Sequence, residues 1–169
     1  MKRSGPLKRK TPMKRTGFKR KAGKPLSRTR RSPIGRLKTR ANEVFSAFIR
    51  QRDALATTGT LTRCKCITCG KEGDTFKGDI QCGHFIAGRL NNILFDPENA
   101  HGQCTGCNKF RSGNWPAYLE AMQKKYGQPT IERLLAARHT MHRFRAWELR
   151  DIIDLFIAKI RILGGEVPQ

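Results

Sequence analysis

Cys66-Ile67-Thr68-Cys69-Gly70, then Gly83-His84-Phe85 and Asn99, then Cys104-Thr105-Gly106-Cys107-Asn108 make up the stretch that decides how this chain folds. Its two Cys-x-x-Cys pairs are separated by 34 residues and suit one tetrahedral zinc ion, because each turn sets two thiolates on the same side of a metal. Cys66 has that spacing to Cys69; Cys64, two residues earlier, is the alternative ligand. Cys82, and Cys64 if it is not a ligand, read as small buried or half-exposed thiols.

The length of 169 residues accommodates one compact unit of modest core plus tails. A net charge of +22 and a pI near 10.7 are extreme for an ordinary enzyme and point to an anionic polymer, nucleic acid first. Six cysteines would be compatible with disulfides in a secreted chain, but the basic first forty residues hold no apolar signal-peptide core, so metal-bound thiolates in a reducing compartment are expected. No apolar run is long enough for a membrane span.

Most of the charge lies at the start. Residues 1–40 carry 17 of the 35 Lys and Arg side chains and no acid, leaving 18 basic and 13 acidic side chains for the remainder. Pro6, Pro12, Pro25 and Pro33 interrupt the clusters, so residues 1–33 read as a disordered basic arm. Lys8, Arg9, Lys10, Lys14, Arg15, Lys19, Arg20 and Lys21 are its expected phosphate contacts, continued by Arg36 and Arg40. A solubility tail or targeting signal is the alternative for the arm.

From Ile34 to Asp53, Leu37, Ala41, Val44, Phe45, Phe48 and Ile49 recur at helical steps, with Arg36, Lys38, Arg40, Arg50 and Arg52 on the other face as basic or merely solvated surface. Thr57–Thr60 reads as a loop. A strand is expected within Phe76–Ile86 and a second at Ala100–Gln103. A helix should open after Cys107, with further helices at Trp115–Tyr126, Thr130–His139 and Ala146–Leu163. The last carries a stripe of Trp147, Leu149, Ile152, Ile153, Phe156, Ile157 and Ile160, read as core with a homodimer interface as the alternative. The organisation expected is thus an arm (1–33), an amphipathic helix and loop (34–60), a zinc-bound core (61–126) and a helical C-terminal region (127–169).

The placement of His84, Asn99 and Asn108 around the cysteine pairs resembles the HNH nuclease motif, in a His-Asn-Asn form. More narrowly, Phe45–Asp53, Cys66–Gly70, Gly83–Phe85, Phe95–Asn108, Ser112–Asn114 and Tyr126-Gly127 are similar to the phage NinG (Rap) recombination endonucleases over about residues 43 to 163. The terminal Cys-x-x-Cys-Asn also resembles the phage endonuclease VII resolvases. The resemblance implies an α+β fold: a zinc-stapled ββα-metal core with flanking helices. It also implies a metal-dependent endodeoxyribonuclease acting on branched DNA such as Holliday junctions and D-loops, in the host cytoplasm. The basic arm lies outside the resemblance.

Phosphodiester hydrolysis of this kind needs a base and a cation. His84 is the expected base, held, as the resemblance implies, by a backbone carbonyl across the loop, and Asn99 is expected to stiffen that loop. Asn108 offers an oxygen to Mg2+ or Mn2+. HNH enzymes often carry an Asp before the base, where this chain has Gly83, so His101 is the expected second ligand, placed on the face of Asn99 by strand alternation, with Asp79 and Asp96 behind it. Zinc closed by four thiolates is expected to fold the region and aim His84 against Asn108. The competing readings are a non-catalytic zinc module that binds nucleic acid, and an HNH homing or restriction nuclease.

Overall fold

A computed structural model describes residues 32–88 and 92–169 of the protein. The expected arm contacts from Lys8 to Lys21 lie outside the described residues. Helix α1 spans Pro33–Thr58; the Ser32 hydroxyl caps it by accepting from Gly35 N–H at 3.1 Å, and Pro33 fills its first turn. The helix passes the expected end at Asp53, with Thr57 and Thr58 bonded back to the carbonyls of Asp53 and Ala54, and it stops at Gly59, whose φ of +70° favours glycine.

Strands β1 (Arg63–Lys65) and β2 (Glu72–Asp74) form an antiparallel pair around the first cysteine turn; neither strand was expected from the sequence. Strand β3, Ile80–His84, is shorter than its predicted span. Asp74 accepts from the N–H groups of Phe76 and Lys77, making a turn where the strand was expected to begin. Strand β4, Ala100–Cys104, pairs antiparallel with β3, Gly83 lying opposite His101 and His84 opposite Ala100. A π-helical turn, Gly106–Phe110, follows; then come α2 (Trp115–Tyr126), α3 (Gln128–Ala137) and α4 (Ala146–Ile162).

Three apolar groups hold these elements together. The first joins α1 to α4 and to the segment before β4, with the Phe45 ring packed edge-on against Phe95 and Phe156. Complete burial of Phe45 alone contributes roughly 1.5–3 kcal/mol. The second sets Phe85, Ile86 and Ile93 against Tyr118, Met122, Ile131 and Leu134 of α2 and α3. The third, around the cysteines, contains Ala54 and Ile80. On α4, Leu149, Phe156 and Ile160 are buried as expected, but Trp147 is 57% exposed and belongs to the surface, not to the core stripe. Among the described residues no helix is long and apolar enough to cross a membrane.

The arginines near the end of α1 tie the fold together. Arg52 donates to the carbonyls of Pro97 and Ala100 at 2.8 and 2.9 Å and to the Asp53 carboxylate, which accepts from Gly102 N–H at 2.7 Å. Arg50 donates to Thr75 O, and its burial lowers its pKa. Arg40, expected on a DNA-facing surface, donates to the carbonyls of Pro168 and Gln169. Gln51 exchanges two hydrogen bonds with the backbone of Glu166, fastening the C-terminal segment to α1. Arg50, Arg52 and Gln51 satisfy carbonyl and amide groups that packing partly removes from water, so charge on this helix does not by itself imply a solvated side chain.

Candidate metal centre and adjoining cleft

The two cysteine pairs meet. The Sγ atoms of Cys66, Cys69, Cys104 and Cys107 all lie within 4.8 Å of one another. A tetrahedral zinc with Zn–S bonds of about 2.3 Å separates its sulfurs by about 3.8 Å, and Cys69 and Cys104 stand 3.7 Å apart. The site also supplies polar hydrogens to the sulfurs: Cys107 N–H points to Cys104 Sγ at 3.4 Å and Asn114 Nδ2 to Cys107 Sγ at 3.8 Å. Four cysteines so placed could hold a metal such as zinc. Burial works to raise the Cys66 thiol, but hydrogen bonds from Thr68 and nearby backbone outweigh it and bring it down to about 7. Cys64 is excluded from the cluster; it lies buried in β1, where burial and Asp53 push it up to about 11. Gly102 is glycine for the same reason, since a Cβ there would stand 2.7 Å from Cys64 Sγ.

His84 ends β3, beside the Phe45 ring, and its Nε2 lies 2.9 Å from Leu94 O. A carbonyl only accepts, so Nε2 carries the proton and Nδ1 keeps its lone pair. Burial lowers the pKa of His84 and the carbonyl opposes that shift, so the ring is neutral at pH 7. Asn99 is fully buried: its Oδ1 accepts from Ile86 N–H at 2.8 Å and its Nδ2 donates to Ile86 O and Ile93 O, each at 3.1 Å. It thereby ties together the described residues on both sides of the segment that follows His84.

Asn108 lies in the π-helical turn, and its Nδ2 donates to Gln81 Oε1 at 2.8 Å. That bond commits the amide nitrogen and leaves the carboxamide oxygen to accept. His84 and Asn108 line one cleft of about 750 Å3, together with Phe85, Trp115, Arg138 and His139.

His101 is not in that cleft. It is completely buried, with Nδ1 3.2 Å from Tyr118 Oη and Nε2 2.9 Å from Tyr126 Oη. Tyr118 donates its own proton to Gly83 O at 2.8 Å, so it accepts from Nδ1–H, and Nε2 accepts from Tyr126. Both nitrogens are thus taken, and burial together with the charges of Lys125 and Arg52 depresses the pKa to about 2. The expectation that His101 ligates the cation with Asn108 is corrected on this ground. Strand alternation failed because Asn99 ends a 3-10 turn, Pro97–Asn99, and does not belong to β4, so the two residues share no pleat phase.

The reserve carboxylates are also occupied elsewhere. Asp96 caps the 3-10 turn through Glu98 N–H and pairs with Arg133, while Asp79 accepts from Asp74 N–H near the cysteines. Gly83 has a steric explanation: a Cβ there would stand 2.9 Å from Gln103 Cβ and would also meet Gln103 Oε1. Gln103 is itself held by Thr68 and by Gly113 O. Sequence reading missed Tyr118, Tyr126 and Gln81. The tyrosines carried one signal, since a phenol placed on an inward helical face needs a polar partner.

These features define a small α+β chain in which four cysteines that could hold a metal adjoin a cleft lined by His84 and Asn108. The chain belongs to the NinG family: the profile described as Bacteriophage Lambda NinG protein matches residues 2–166. That match starts at residue 2, so the basic arm, expected to stand outside the resemblance, falls within it. Protein ninG of Escherichia phage 933W is 28% identical over 124 residues, covering 73% of this chain and 56% of that protein. Protein ninG of Escherichia phage lambda is 27% identical over 124 residues, covering 73% and 55%, and that of Enterobacteria phage H19B is 26% identical over 113 residues, covering 66% and 50%. The chain thus spans about half the length of the curated relatives it matches. No solved structure matches it.

Proposed function

We propose that this protein is a metal-dependent endonuclease that hydrolyses phosphodiester bonds in branched DNA, Holliday junctions and D-loops among its substrates. The observation that carries this reading is the cleft in which His84 keeps a lone pair on Nδ1 and Asn108 keeps a carboxamide oxygen, next to four thiols gathered at metal-binding distance. His84 takes the proton from the attacking water at Nδ1, and its Nε2–H bond to Leu94 O steadies the imidazolium that forms. Asn99 holds the backbone that follows the base. A magnesium or manganese ion, when bound, neutralises charge on the phosphate and leaving oxygen. Asn108 would hold it through its oxygen. Among the described residues that line the cleft there is no carboxylate, so the ion's remaining ligands would have to come from water and the substrate phosphate. A zinc held by Cys66, Cys69, Cys104 and Cys107 would close the fold around the site and, with all four positions taken by thiolates, would take no part in bond cleavage.

The same lack of a carboxylate favours a second reading, a zinc module that binds nucleic acid without cutting it. One assay separates the two: purified protein with magnesium or manganese, incubated with four-way junction, flap, duplex and single-stranded DNA, beside His84→Ala. Nicking of branched substrates by the native protein, lost in the variant while DNA binding persists, is the expected result. Binding of all four without cleavage would select the non-catalytic module, and equal cleavage by His84→Ala would remove the assigned base.

A further inference from the structure

The residue after His84 carries a feature that proton transfer does not use. Phe85 is buried, and Trp115 lies over it with ring centroids 6.0 Å apart and planes inclined by 12°. Phe85 is in turn fixed edge-on by Tyr118 at 5.5 Å. Trp115, by contrast, is 46% exposed and lines the cleft shared with His84 and Asn108. An indole stacked on a buried ring but open to a cleft retains an aromatic surface that the described residues do not cover completely.

The turn that presents Trp115 is built at a cost. Ser112, Gly113 and Asn114 have φ of +48°, +82° and +48°, and two of the three are not glycine. Gln103 Nε2 holds the turn by donating to Gly113 O at 2.6 Å, and Asn114 Nδ2 reaches Cys107 Sγ. The indole is therefore positioned from both β4 and the metal centre. Arg138 and His139, after the end of α3, also line the cleft and bring cationic and hydrogen-bonding capacity to it. The volume of about 750 Å3 falls within the range of roughly 300–1,000 Å3 usual for pockets that enclose a small molecule.

We propose that the Phe85–Trp115 stack is a platform for a nucleobase that has left the helical stack next to the scissile phosphate, with Arg138 and His139 contacting the neighbouring phosphate. This rests on the endonuclease reading and supplies its substrate selectivity. In an intact duplex both faces of every base are covered by neighbours, so no base can lie on Trp115 without first being pulled out, at a cost of a few kcal/mol. At a junction, flap or mismatch that cost is already partly met. Selectivity for branched DNA then follows from a stacking contact indifferent to base identity.

The chain has two tryptophans, and Trp147 is on the surface of α4, so Trp147→Phe leaves Trp115 as the single indole reporter. The test titrates the zinc-loaded full chain in this background, without magnesium, with a four-way junction, the same junction carrying abasic sites at the branch, and linear duplex. Occupancy is followed by anisotropy of labelled DNA and stacking by indole emission. Expected is quenching at saturation by the junction, little by duplex, and its loss with the abasic junction. Trp115→Ala should weaken junction binding by roughly 5- to 150-fold and duplex binding by less than about twofold, with Trp115→Phe recovering most of the difference. Saturating junction binding without quenching, or an unchanged junction-to-duplex ratio in Trp115→Ala, overturns the platform and leaves the endonuclease reading standing. Quenching with no cleavage once magnesium is added does the opposite, and no binding of any DNA sinks both.

Discussion

His84 and His101 lie on paired strands, one register step apart, and their surroundings assign them opposite roles. His84 gives one nitrogen to a backbone carbonyl, leaves the other without a hydrogen-bond partner among the described residues, and lines a cleft. His101 has both nitrogens held by tyrosine hydroxyls, one of which also binds the backbone of β3 at Gly83, next to His84. The first is equipped to accept a proton. The second is a fully satisfied polar core group that fixes α2 on the sheet. A histidine is read by the number of nitrogens left over after its neighbours are counted, not by its distance in sequence from a metal motif.

Removing the metal should break this comparison most completely. The third apolar group is small and made largely of the cysteines themselves, so chelation of zinc, or Cys69→Ser, is expected to unfold residues 63–110 and erase both environments together. The check is zinc stoichiometry beside far-ultraviolet circular dichroism; retained structure without metal refutes it.

Paired substitutions sharpen the contrast. On the proposed mechanism His84→Ala lowers the cleavage rate by about 10²- to 10⁴-fold and leaves the thermal midpoint close to native. His101→Ala should do the reverse: it removes the acceptor of the half-buried Tyr126 hydroxyl and one of the two partners of Tyr118, which keeps Gly83 O, at roughly 1–3 kcal/mol, while folded molecules still cut. Equal loss of rate in both variants at matched folded fraction contradicts the division.

Acid separates the two rings as well. His101 has its folded pKa depressed to about 2, whereas an unfolded imidazole titrates near 6.5, so between those values the unfolded chain binds the extra proton. Stability is therefore full above about pH 6.5 and falls as pH drops below it. The difference in melting temperature between native protein and His101→Gln should shrink on acidification. For His84, lowered by burial, the acid limb of the rate profile should fall below pH 6.5; a limb above that value argues against this ring as the base.

Smaller effects are expected around the pair. Asn99→Ala leaves Ile86 N–H and Ile86 O unmatched, Ile93 O keeping Asp96 N–H, and should cost roughly 1–3 kcal/mol for each group that stays dry, with a fall in cleavage beyond what unfolding explains. Smallest is the contrast of two arginines: Arg36→Ala, at an exposed position, should leave stability within about 0.5 kcal/mol, whereas Arg52→Ala should lower it measurably by freeing Pro97 O and Ala100 O. Denaturant midpoints decide between them.

Residue types and spacings were sufficient for some of this molecule. The cysteine pairs, the amphipathic periods of α1 and α4, and the Pro and Gly that open and close α2 were legible because each is local or rests on a repeating pattern, whereas the carbonyl contact of His84 was expected only from the family resemblance. The β1–β2 pair was not, since three-residue strands carry no period, and neither was the extension of α1 through Thr57 and Thr58. Arg40, Arg50 and Arg52 read as surface charge and proved to clasp carbonyls from distant parts of the chain.

By itself, then, the sequence determined which groups are capable of chemistry: four thiols paired for a metal, two carboxamides, two imidazoles and a heavily basic start. Only tertiary structure decided which capacities remain open, because a nitrogen or oxygen is available only if no partner from another element reaches it first. The tyrosines that silence His101 arrive from α2, 17 and 25 residues away, and the glutamine that turns Asn108 arrives from β3, 27 residues earlier. Hydrogen bonds act over about 3 Å of space and have no memory of sequence distance, so this selection is a property of the fold.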